Sequence, residues 1–371
     1  MSRETVFAAT LGYFLGPIQE FLEDDAVTEV MVNGFNQIYV ERGGRLFETT
    51  AQFLSDDALQ SAIHNVAQYV GREIDRDRPI LDARLPDGSR VHAVIPPSAR
   101  SGTYLTIRKF KRDILGLDDY IRFGSLSAEV KEFLELCVVL RKNIVVAGGT
   151  GTGKTTMLNA VSSAIPEEER IVVIEDSSEL KLDQRHCLYL EAQPADRWGR
   201  GQVAIRDLFK ASLRMRPDRI IVGEVRGGEA LDMVQSMISG HSGSMTTVHA
   251  TSPRDALVRL ETLSLMSDVA LPIYVARAQV GSAINIIVQL VRHTEDGSRK
   301  VARVTEAYGL DDNNQYRFQD IFVSRLRGRT ADGRLISDLE FTGTQPTFAA
   351  EPFEHGLEHR IEHTGEVWSE Q

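Results

Sequence analysis

Apolar and polar residues follow different periods in the first and second parts of the chain. Residues 1–26 carry apolar side chains at helical spacing, which predicts a single amphipathic helix. Residues 27–50 alternate around the turn Asn33-Gly34, which predicts a small antiparallel meander. The elements that follow are a helix, the two strands of a hairpin and a last strand, at residues 56–70, 80–85, 89–95 and 104–108. Residues 1–108 are therefore predicted to form an α+β domain.

The second part contains short, continuous apolar runs instead of alternating ones. These runs lie at residues 143–147, 170–174, 219–223 and 244–249. Such runs are typical of parallel strands that are covered on both faces, and helical patterns lie between them. Two later strands are predicted at residues 285–291 and 299–307. The pattern predicts a doubly wound α/β domain of the nucleotide-binding type over residues 117–325.

Two segments fall outside these domains. Residues 109–116 begin with a basic cluster and are predicted to be a hinge or linker. Residues 326–371 have few long apolar runs and many acidic residues and histidines. That composition predicts an acidic, loosely ordered tail.

Composition narrows the class of protein. The chain has 371 residues, enough for two domains, and its formal net charge of -11 argues against a general nucleic-acid binder. Cys137 and Cys187 are far apart in apolar surroundings, so we expect free thiols in a reducing compartment. We find neither a signal peptide nor an apolar run of about 18 residues. The expected location is the cytoplasm, with peripheral docking at the inner membrane.

The strand at residues 143–147 leads into G-x-x-x-x-G-K-T over residues 148–155, and a helical pattern follows. This context predicts a phosphate-binding loop, whose glycines let backbone N–H groups converge on phosphate oxygens. Lys154 is expected to reach the outer phosphates of ATP, and the Thr155 hydroxyl to ligate Mg²⁺. The predicted nucleotide-binding residues are Gly148, Gly149, Thr150, Gly151, Thr152, Gly153, Lys154, Thr155 and Thr156.

Acidic residues follow two of the predicted strands. Glu224 comes one place after the position where a strand-end Asp is usual, and it is a candidate to orient or deprotonate water. Glu175 and Asp176 end another strand, and Glu175 is a candidate for Mg²⁺ binding, directly or through water, as is Glu224. Arg226 is expected to pair with Glu224 or with phosphate. The alternative is that these are surface or helix-capping acids.

Histidines and arginines extend the candidate site. His249 ends a strand at the same sheet edge, and His241 lies in a glycine-rich loop just before that strand. His249 is a candidate to sense or contact the γ-phosphate, and His241 is a functional candidate as well, although a histidine in such a place can also be purely structural. Arg84, Arg90 and Arg108 lie in or beside the hairpin and last strand of the first domain. They are candidates to couple nucleotide state to domain angle, or are simply surface arginines.

Taken in order, these motifs resemble the secretion ATPase superfamily that drives type II secretion, type IV pili and type IV secretion. Within it, the chain resembles the CpaF/TadA branch that powers Tad pili. The matching segments lie at residues 29–34, 82–90, 106–110, 148–156, 174–176, 213–226 and 240–250. Relatives in this branch often carry a longer N-terminal extension, so we expect its docking role to be absent here or supplied elsewhere.

The resemblance implies a RecA-like ATPase domain behind an N-terminal α+β, PAS-like domain, and a homo-hexameric ring. It implies that Glu224 is the catalytic glutamate, that Glu175 belongs to an acidic box, and that His241 and His249 belong to a histidine box. It also implies that arginines of the first domain complete the site. ATP hydrolysis would then change the angle between domains, and the ring would pass this motion to an inner-membrane platform protein that assembles or retracts a pilus.

Two other functions stay open at this point. A nucleic-acid-translocating ATPase of the RecA type would share the second domain, although the negative charge and the scarcity of basic and aromatic stretches disfavour it. A nucleotide-gated scaffold without hydrolysis is disfavoured because Lys154, Thr155 and Glu224 are all present.

Overall fold

The computed structural model describes residues 10–110, 115–195, 199–330 and 333–370. The chain divides into two compact units, Met1–Asp113 and Ile114–Gln371. The division falls inside residues 109–116, the stretch predicted as a linker, of which residues 111–114 lie outside the described part.

The first unit is built on an antiparallel sheet of six strands in the order β3-β2-β1-β6-β5-β4. The strands are β1 Val27–Asn33, β2 Ile38–Arg42, β3 Arg45–Glu48, β4 Ile80–Arg84, β5 Arg90–Val94 and β6 Tyr104–Arg108. The helices are α1 Gln19–Glu23 and α2 Asp56–Tyr69. The hydroxyl of Ser55 caps α2 by accepting a hydrogen bond from the N–H of Ala58 at 3.2 Å, and the apolar face of α2 joins the unit's core. These strands and this helix confirm the predicted α+β domain.

The prediction of one helix over residues 1–26 is wrong for its described part. Residues 10–14 are helical, Gly16–Ile18 form a 3₁₀ turn, and α1 begins only at Gln19. The interruption lies at Gly16-Pro17, because proline lacks the N–H that continues a helix and restricts the residue before it. Residues 1–9 lie outside the described part.

The second unit is built on a sheet of nine strands in the order β15-β14-β13-β12-β7-β11-β10-β8-β9. The strands are β7 Ile144–Gly148, β8 Ile171–Glu175, β9 Cys187–Glu191, β10 Arg219–Val222, β11 Met245–His249, β12 Ile286–Arg292, β13 Arg299–Leu310, β14 Tyr316–Arg329 and β15 Leu335–Phe341. The helices are α3 Leu117–Arg122, α4 Ala128–Val139, α5 Lys154–Ser162, α6 Ile205–Ser212, α7 Glu229–Ile238, α8 Pro253–Leu265, α9 Ile273–Ala283 and α10 Glu351–Glu354. The strands from β12 to β9 are parallel, and β13 to β15 extend the sheet in antiparallel fashion.

The parallel strands are covered on both faces. Every residue of β7 and β8 is buried, and successive residues of β7 join different cores. Ile144 and Val146 pack into one hydrophobic cluster, whereas Val145 and Ala147 pack into another. Alternate side chains of a strand point to opposite faces, so these two clusters are the two layers of a doubly wound domain. The fold class predicted from the continuous apolar runs is confirmed.

The side chain of Asn143, the residue before β7, is hydrogen-bonded to two neighbouring segments of the chain. Its Nδ2 donates to the carbonyl of Ala283 at 2.7 Å, and its Oδ1 accepts from the N–H groups of Gly243 and Ser244 at 2.8 and 3.1 Å. One buried amide therefore holds together the end of α9, the loop before β11 and the strand that leads to the phosphate loop.

The prediction of a loosely ordered tail from residue 326 is wrong, and the second domain does not end at residue 325. Strand β14 runs through that position and pairs with β15. Beyond β15 the chain returns to α4, where the ring of Trp368 stacks on Phe133 with 5.2 Å between centroids. The carboxylate of Glu132 accepts hydrogen bonds from the backbone N–H groups of residues 362–364. A few buried aromatic residues and one buried acid thus order a segment of polar composition.

Cys137 and Cys187 are free cysteines, as predicted, the first buried and the second half-buried. Among the described residues, we find no helix with the length and apolar character needed to cross a bilayer.

Candidate active site at the carboxyl edge of the parallel sheet

The loop between β7 and α5 has the backbone of a phosphate cradle. Gly151 and Gly153 have φ of 71° and 90°, in the left-handed region that favours glycine, and Gly153 directly precedes α5. Thr152 is buried and its hydroxyl donates to the carbonyl of Gly149 at 2.9 Å. A Cβ atom on Gly148 would lie 2.5 Å from the same hydroxyl. The glycines are therefore required by the tight path of the loop at the helix N-terminus, where anions bind.

Parallel pairing brings the other predicted residues to the same edge. His249 of β11 is in register with Gly148 of β7, and β11 also pairs with β10. Glu224 lies two residues beyond β10, and Glu175 ends β8. The Thr247 hydroxyl donates to the carbonyl of Gly223 at 2.8 Å, which joins β11 to the turn that carries Glu224. Since ligands bind at the carboxyl ends of strands in such sheets, the motifs converge where they were expected.

Lys154, His249 and Glu224 form a continuous polar chain. The Nζ of Lys154 lies 3.1 Å from Nε2 of His249 and 3.1 Å from the carbonyl oxygen of Gly149. The other ring nitrogen of His249, Nδ1, contacts the carboxylate of Glu224. Because an ammonium group only donates, Nε2 is the acceptor in the contact with Lys154. The loop lysine and the candidate base are thus joined through one imidazole.

Arg226 extends this chain to a second acid. Its Nε donates to Oε2 of Glu224 at 2.8 Å, and its Nη1 donates to Oδ2 of Asp176 at 2.8 Å. Of the two partners that the sequence suggested for Arg226, the structure therefore shows Glu224. The side chain of Glu224 is 13% exposed, and it lies between a histidine and a guanidinium. Its carboxylate therefore has a charge-assisted hydrogen bond from Arg226 on one side and a contact with the His249 ring on the other.

Glu175 lies deeper than Glu224. Its Oε1 accepts from the N–H groups of Glu179 and Leu180 at 2.8 and 3.0 Å. Burial raises the pKa of Glu175 to about 7, although these two hydrogen bonds act to lower it. A Cβ atom on Gly223 would lie 2.9 Å from Cγ of Glu175, so the turn after β10 passes close to this acid. Glu175 is therefore a buried carboxyl beside the turn that carries Glu224.

The oxygens of Thr155, Glu175 and Glu224 are of the type that Mg²⁺ prefers. In the described part of the chain, no group of three or more His, Cys, Asp and Glu residues could hold a metal ion by itself. One oxygen of Glu175 already accepts two backbone hydrogen bonds. This donor set fits Mg²⁺ that is bound mainly through nucleotide phosphates and water, with one or two protein oxygens.

His241 lies apart from this chain. Its backbone N–H donates to the backbone carbonyl of Ser236 at 3.0 Å, and its backbone carbonyl accepts from the hydroxyl of Ser244 at 2.8 Å. The described residues include no hydrogen-bond partner for its buried Nδ1. The two histidines of one sequence motif thus occupy different surroundings.

Arg84, Arg90 and Arg108 form one row in the first unit. Arg84 of β4 is directly opposite Arg90 of β5, and Arg90 is directly opposite Arg108 of β6. Arg108 is in turn opposite Glu29 of β1. Directly opposed residues of an antiparallel sheet share one face. Residues far apart in the sequence therefore make a single basic row at one end of this sheet.

Two residues at the phosphate loop were missed by the sequence reasoning. The Nε of Arg299 donates to the carbonyl of Gly151 at 2.8 Å, and Nη1 of Arg292 lies 3.0 Å from the place of a Cβ on Gly151. Arg292 and Arg299 are opposed in register at the ends of the β12–β13 hairpin. The sequence predicted two strands at residues 285–291 and 299–307, but only the sheet order, with β12 beside β7, brings their hairpin to the loop.

Comparison with known proteins finds a matching family model and several relatives. The family model described as Type II/IV secretion system protein matches residues 14–336. The type IV secretion system protein PtlH of Bordetella pertussis is 37% identical over 329 residues, covering 82% of this chain and 96% of PtlH. A putative conjugal transfer protein of Mycobacterium tuberculosis is 32% identical over 295 residues, covering 78% of this chain and 83% of that protein.

A solved structure shares the fold. The pilus retraction motor PilT with bound ADP superposes with a TM-score of 0.57 at 18% identity, covering 82% of this chain and 84% of PilT. At that identity the likeness concerns the fold, which is the α/β architecture predicted from the sequence.

Proposed function

This chain belongs to the Type II/IV secretion system protein family, and we propose that it is an ATP-hydrolysing motor of a secretion or pilus machine. The observation that carries the proposal is the chain of contacts from Lys154 through His249 to Glu224 at the mouth of a phosphate loop. A nucleotide-binding site without hydrolysis has no need for a half-buried carboxylate that is contacted from two sides.

Each residue of the site has a distinct task in this proposal. The loop N–H groups and Lys154 bind the phosphates, and Thr155 with Glu175 or Glu224 holds Mg²⁺, directly or through water. Mg²⁺ would neutralise charge on the β- and γ-phosphates. Glu224 orients and deprotonates the attacking water, while His249 and Arg226 fix the position of its carboxylate. Asp176 holds Arg226 from the far side.

The resemblance to the CpaF/TadA branch supports a more specific assignment of oligomeric state and partners. We propose a homo-hexamer of the CpaF/TadA branch that acts on inner-membrane platform proteins of a Tad or type IV pilus or secretion apparatus, peripherally associated with the membrane from the cytoplasmic side. Arg84, Arg90 and Arg108 would supply positive charge to the phosphates. His241 would contribute to the site through the glycine-rich loop of the histidine motif, in which it lies. The negative net charge continues to disfavour nucleic acid as the translocated partner.

Glu224→Gln tests the proposal. This change keeps the shape of the side chain but removes the base, so turnover at saturating Mg-ATP should fall about 100-fold or more, while ATP binding by calorimetry stays close to wild type. Glu168→Gln is the matched control, since Glu168 is an exposed acid outside the site, and its turnover should equal wild type. Wild-type turnover in Glu224→Gln would overturn the assignment of the base.

A further inference from the structure

We infer that Arg299 is a positioning residue for the phosphate loop, held there by the β12–β13 hairpin. Its Nε donates to the carbonyl of Gly151 at 2.8 Å. Its Cδ lies 3.8 Å from the place that a Cβ on Gly153 would occupy, so the side chain runs along the outer side of the loop. Arg292, opposite Arg299 in the hairpin, covers Gly151 from a second direction.

The physical reason lies in how a phosphate cradle works. Backbone N–H groups that turn toward the phosphates leave some carbonyl groups turned outward, and those carbonyls need donors. The carbonyl of Gly149 accepts from Thr152 and Lys154, and the carbonyl of Gly151 accepts from Arg299. Gly151 also has a positive φ of 71°, a conformation that glycine leaves readily when nothing holds it. The donor from Arg299 therefore stabilises the loop in the conformation that presents its N–H groups.

The hairpin that carries Arg299 is itself held at two points, at Arg299 and at the turn before it. The carbonyl of Arg299 accepts from the hydroxyl of Ser125 at 2.6 Å, just before α4. At the tip, the carboxylate of Asp296 accepts from the N–H of Ser298 at 2.9 Å and from the N–H of Leu335 at 2.8 Å. Leu335 begins β15, so the tip is bound to the outermost strand of the sheet. Arg299 thus acts from a rigid support, as positioning requires.

This inference rests on the proposed function, since the ligand is the nucleoside triphosphate at the same loop. It predicts a split between binding and turnover. Without the donor the loop samples other conformations, and only the fraction in the binding conformation binds nucleotide. Once ATP is bound the loop is held by its ligand, so Glu224 acts as before.

Two neutral variants separate a hydrogen-bond donor from a positive charge. In Arg299→Gln the side-chain amide nitrogen occupies the same covalent position as Nε of arginine, so the donor is kept and the charge is lost. In Arg299→Met the length is similar and both are lost. Arg303→Met is the matched control, because Arg303 lies on the same strand and pairs with Asp320 instead of the loop.

For Arg299→Met we expect the KM for ATP and the Kd for ADP to rise about 10-fold, as for loss of one hydrogen bond to a loop carbonyl, with kcat within about twofold of wild type. Arg299→Gln and Arg303→Met should both stay near wild type. Wild-type constants for Arg299→Met overturn the inference. Equal losses in Arg299→Gln and Arg299→Met also overturn it, because charge alone would then explain the effect.

Two further outcomes are informative. If Arg299→Met does not fold, Asp296→Ala takes its place, since it frees the hairpin tip from Leu335 and leaves Arg299 intact. A raised KM supports the inference, and an unchanged KM overturns it. If the wild-type protein binds neither ATP nor ADP, the proposed function itself fails. If it binds both and the variants do not differ, only the role of Arg299 fails.

Discussion

The Nε2 atom of His249 lies 3.1 Å from Nζ of Lys154, while Nδ1 of the same ring contacts the carboxylate of Glu224. One imidazole therefore contacts both the lysine of the glycine loop and the candidate base. A movement of the Lys154 side chain would therefore change what Nε2 contacts, on the same ring that contacts Glu224.

Removal of this ring should impair turnover more than binding. Glu224 contacts both His249 and Arg226. In His249→Ala the first contact is lost, and we expect the carboxylate to turn toward the guanidinium of Arg226. We expect kcat to fall, but by less than the roughly 100-fold loss expected for Glu224→Gln. Steady-state ATP hydrolysis measures this, with His355→Ala, an exposed histidine of the tail, as control. Equal turnover in His249→Ala and wild type would contradict the bridging role.

The basic row of the first unit makes a second prediction. Arg108 lies at the exposed end of the row with Arg90 and Arg84. If this row serves the phosphates, Arg108→Ala should leave ATP binding close to wild type and lower kcat about 10-fold or more. Arg45→Ala, an exposed arginine of β3 outside the row, is the control and should not change kcat. Weaker binding with normal turnover at saturating ATP would rule this role out.

Gly243 makes a prediction about stability. It has φ of 81°, and a Cβ atom there would lie 1.8 Å from Nη1 of Arg219, a fully buried side chain that is paired with Glu169. Gly243→Ala should lower the free energy of unfolding by about 3–5 kcal/mol more than backbone strain alone, because it displaces a buried ion pair. Gly240→Ala is the matched control, since Gly240 also has a positive φ but open space around it. Urea unfolding measures the free energy of unfolding of both variants. Equal losses of stability would contradict the predicted clash between a Cβ at residue 243 and Arg219.

Glu132 makes a prediction about pH. Burial raises the pKa of Glu132, but hydrogen bonds from the Thr364 hydroxyl and from the N–H groups of residues 362–364 outweigh it and hold the pKa below its ordinary value of 4.5. A group with a lowered folded pKa stabilises the protein above its unfolded pKa and stops doing so as pH falls through the folded value. The tail should therefore loosen below about pH 4.5 and stay bound at neutral pH.

Fluorescence of Trp368 measures this, in a variant with Trp198→Phe, because Trp368 is buried against Phe133. Glu132→Gln is the comparison, since it cannot titrate. The stability difference between wild type and Glu132→Gln should be constant above pH 5 and shrink at lower pH. A difference that is independent of pH down to pH 2 would show that Glu132 does not hold the tail through its charge.

Much of the site was predictable from local patterns. The strands β7, β8, β10 and β11 are continuous apolar runs, and each is followed by the residues that now meet at one edge. Parallel sheets align their carboxyl ends, so a pattern of strands was enough to bring Lys154, Glu224 and His249 together. The hydrogen bonds among their side chains were not predictable, because they depend on rotamers and on the turn after β10.

The rest depended on contacts that no local pattern contains. Arg299 reaches the loop because β12 lies beside β7, a neighbour that is distant in sequence. The polar composition of residues 326–371 predicts a loosely ordered tail, yet Trp368 is buried against Phe133 of α4. The apolar spacing of residues 1–26 predicts one continuous helix because it persists across Pro17. The helical hydrogen-bond pattern cannot continue there.

The contact between Thr364 and Glu132 joins residues that are 232 positions apart. During synthesis, chain is added from the amino terminus, so the first unit has all six of its strands long before this contact becomes possible. The second unit completes its core only when residues 362–368 have left the ribosome. Until then, part of the apolar surface of α4 stays uncovered. The order of translation therefore gives the first unit time to fold while the nucleotide-binding unit is still incomplete.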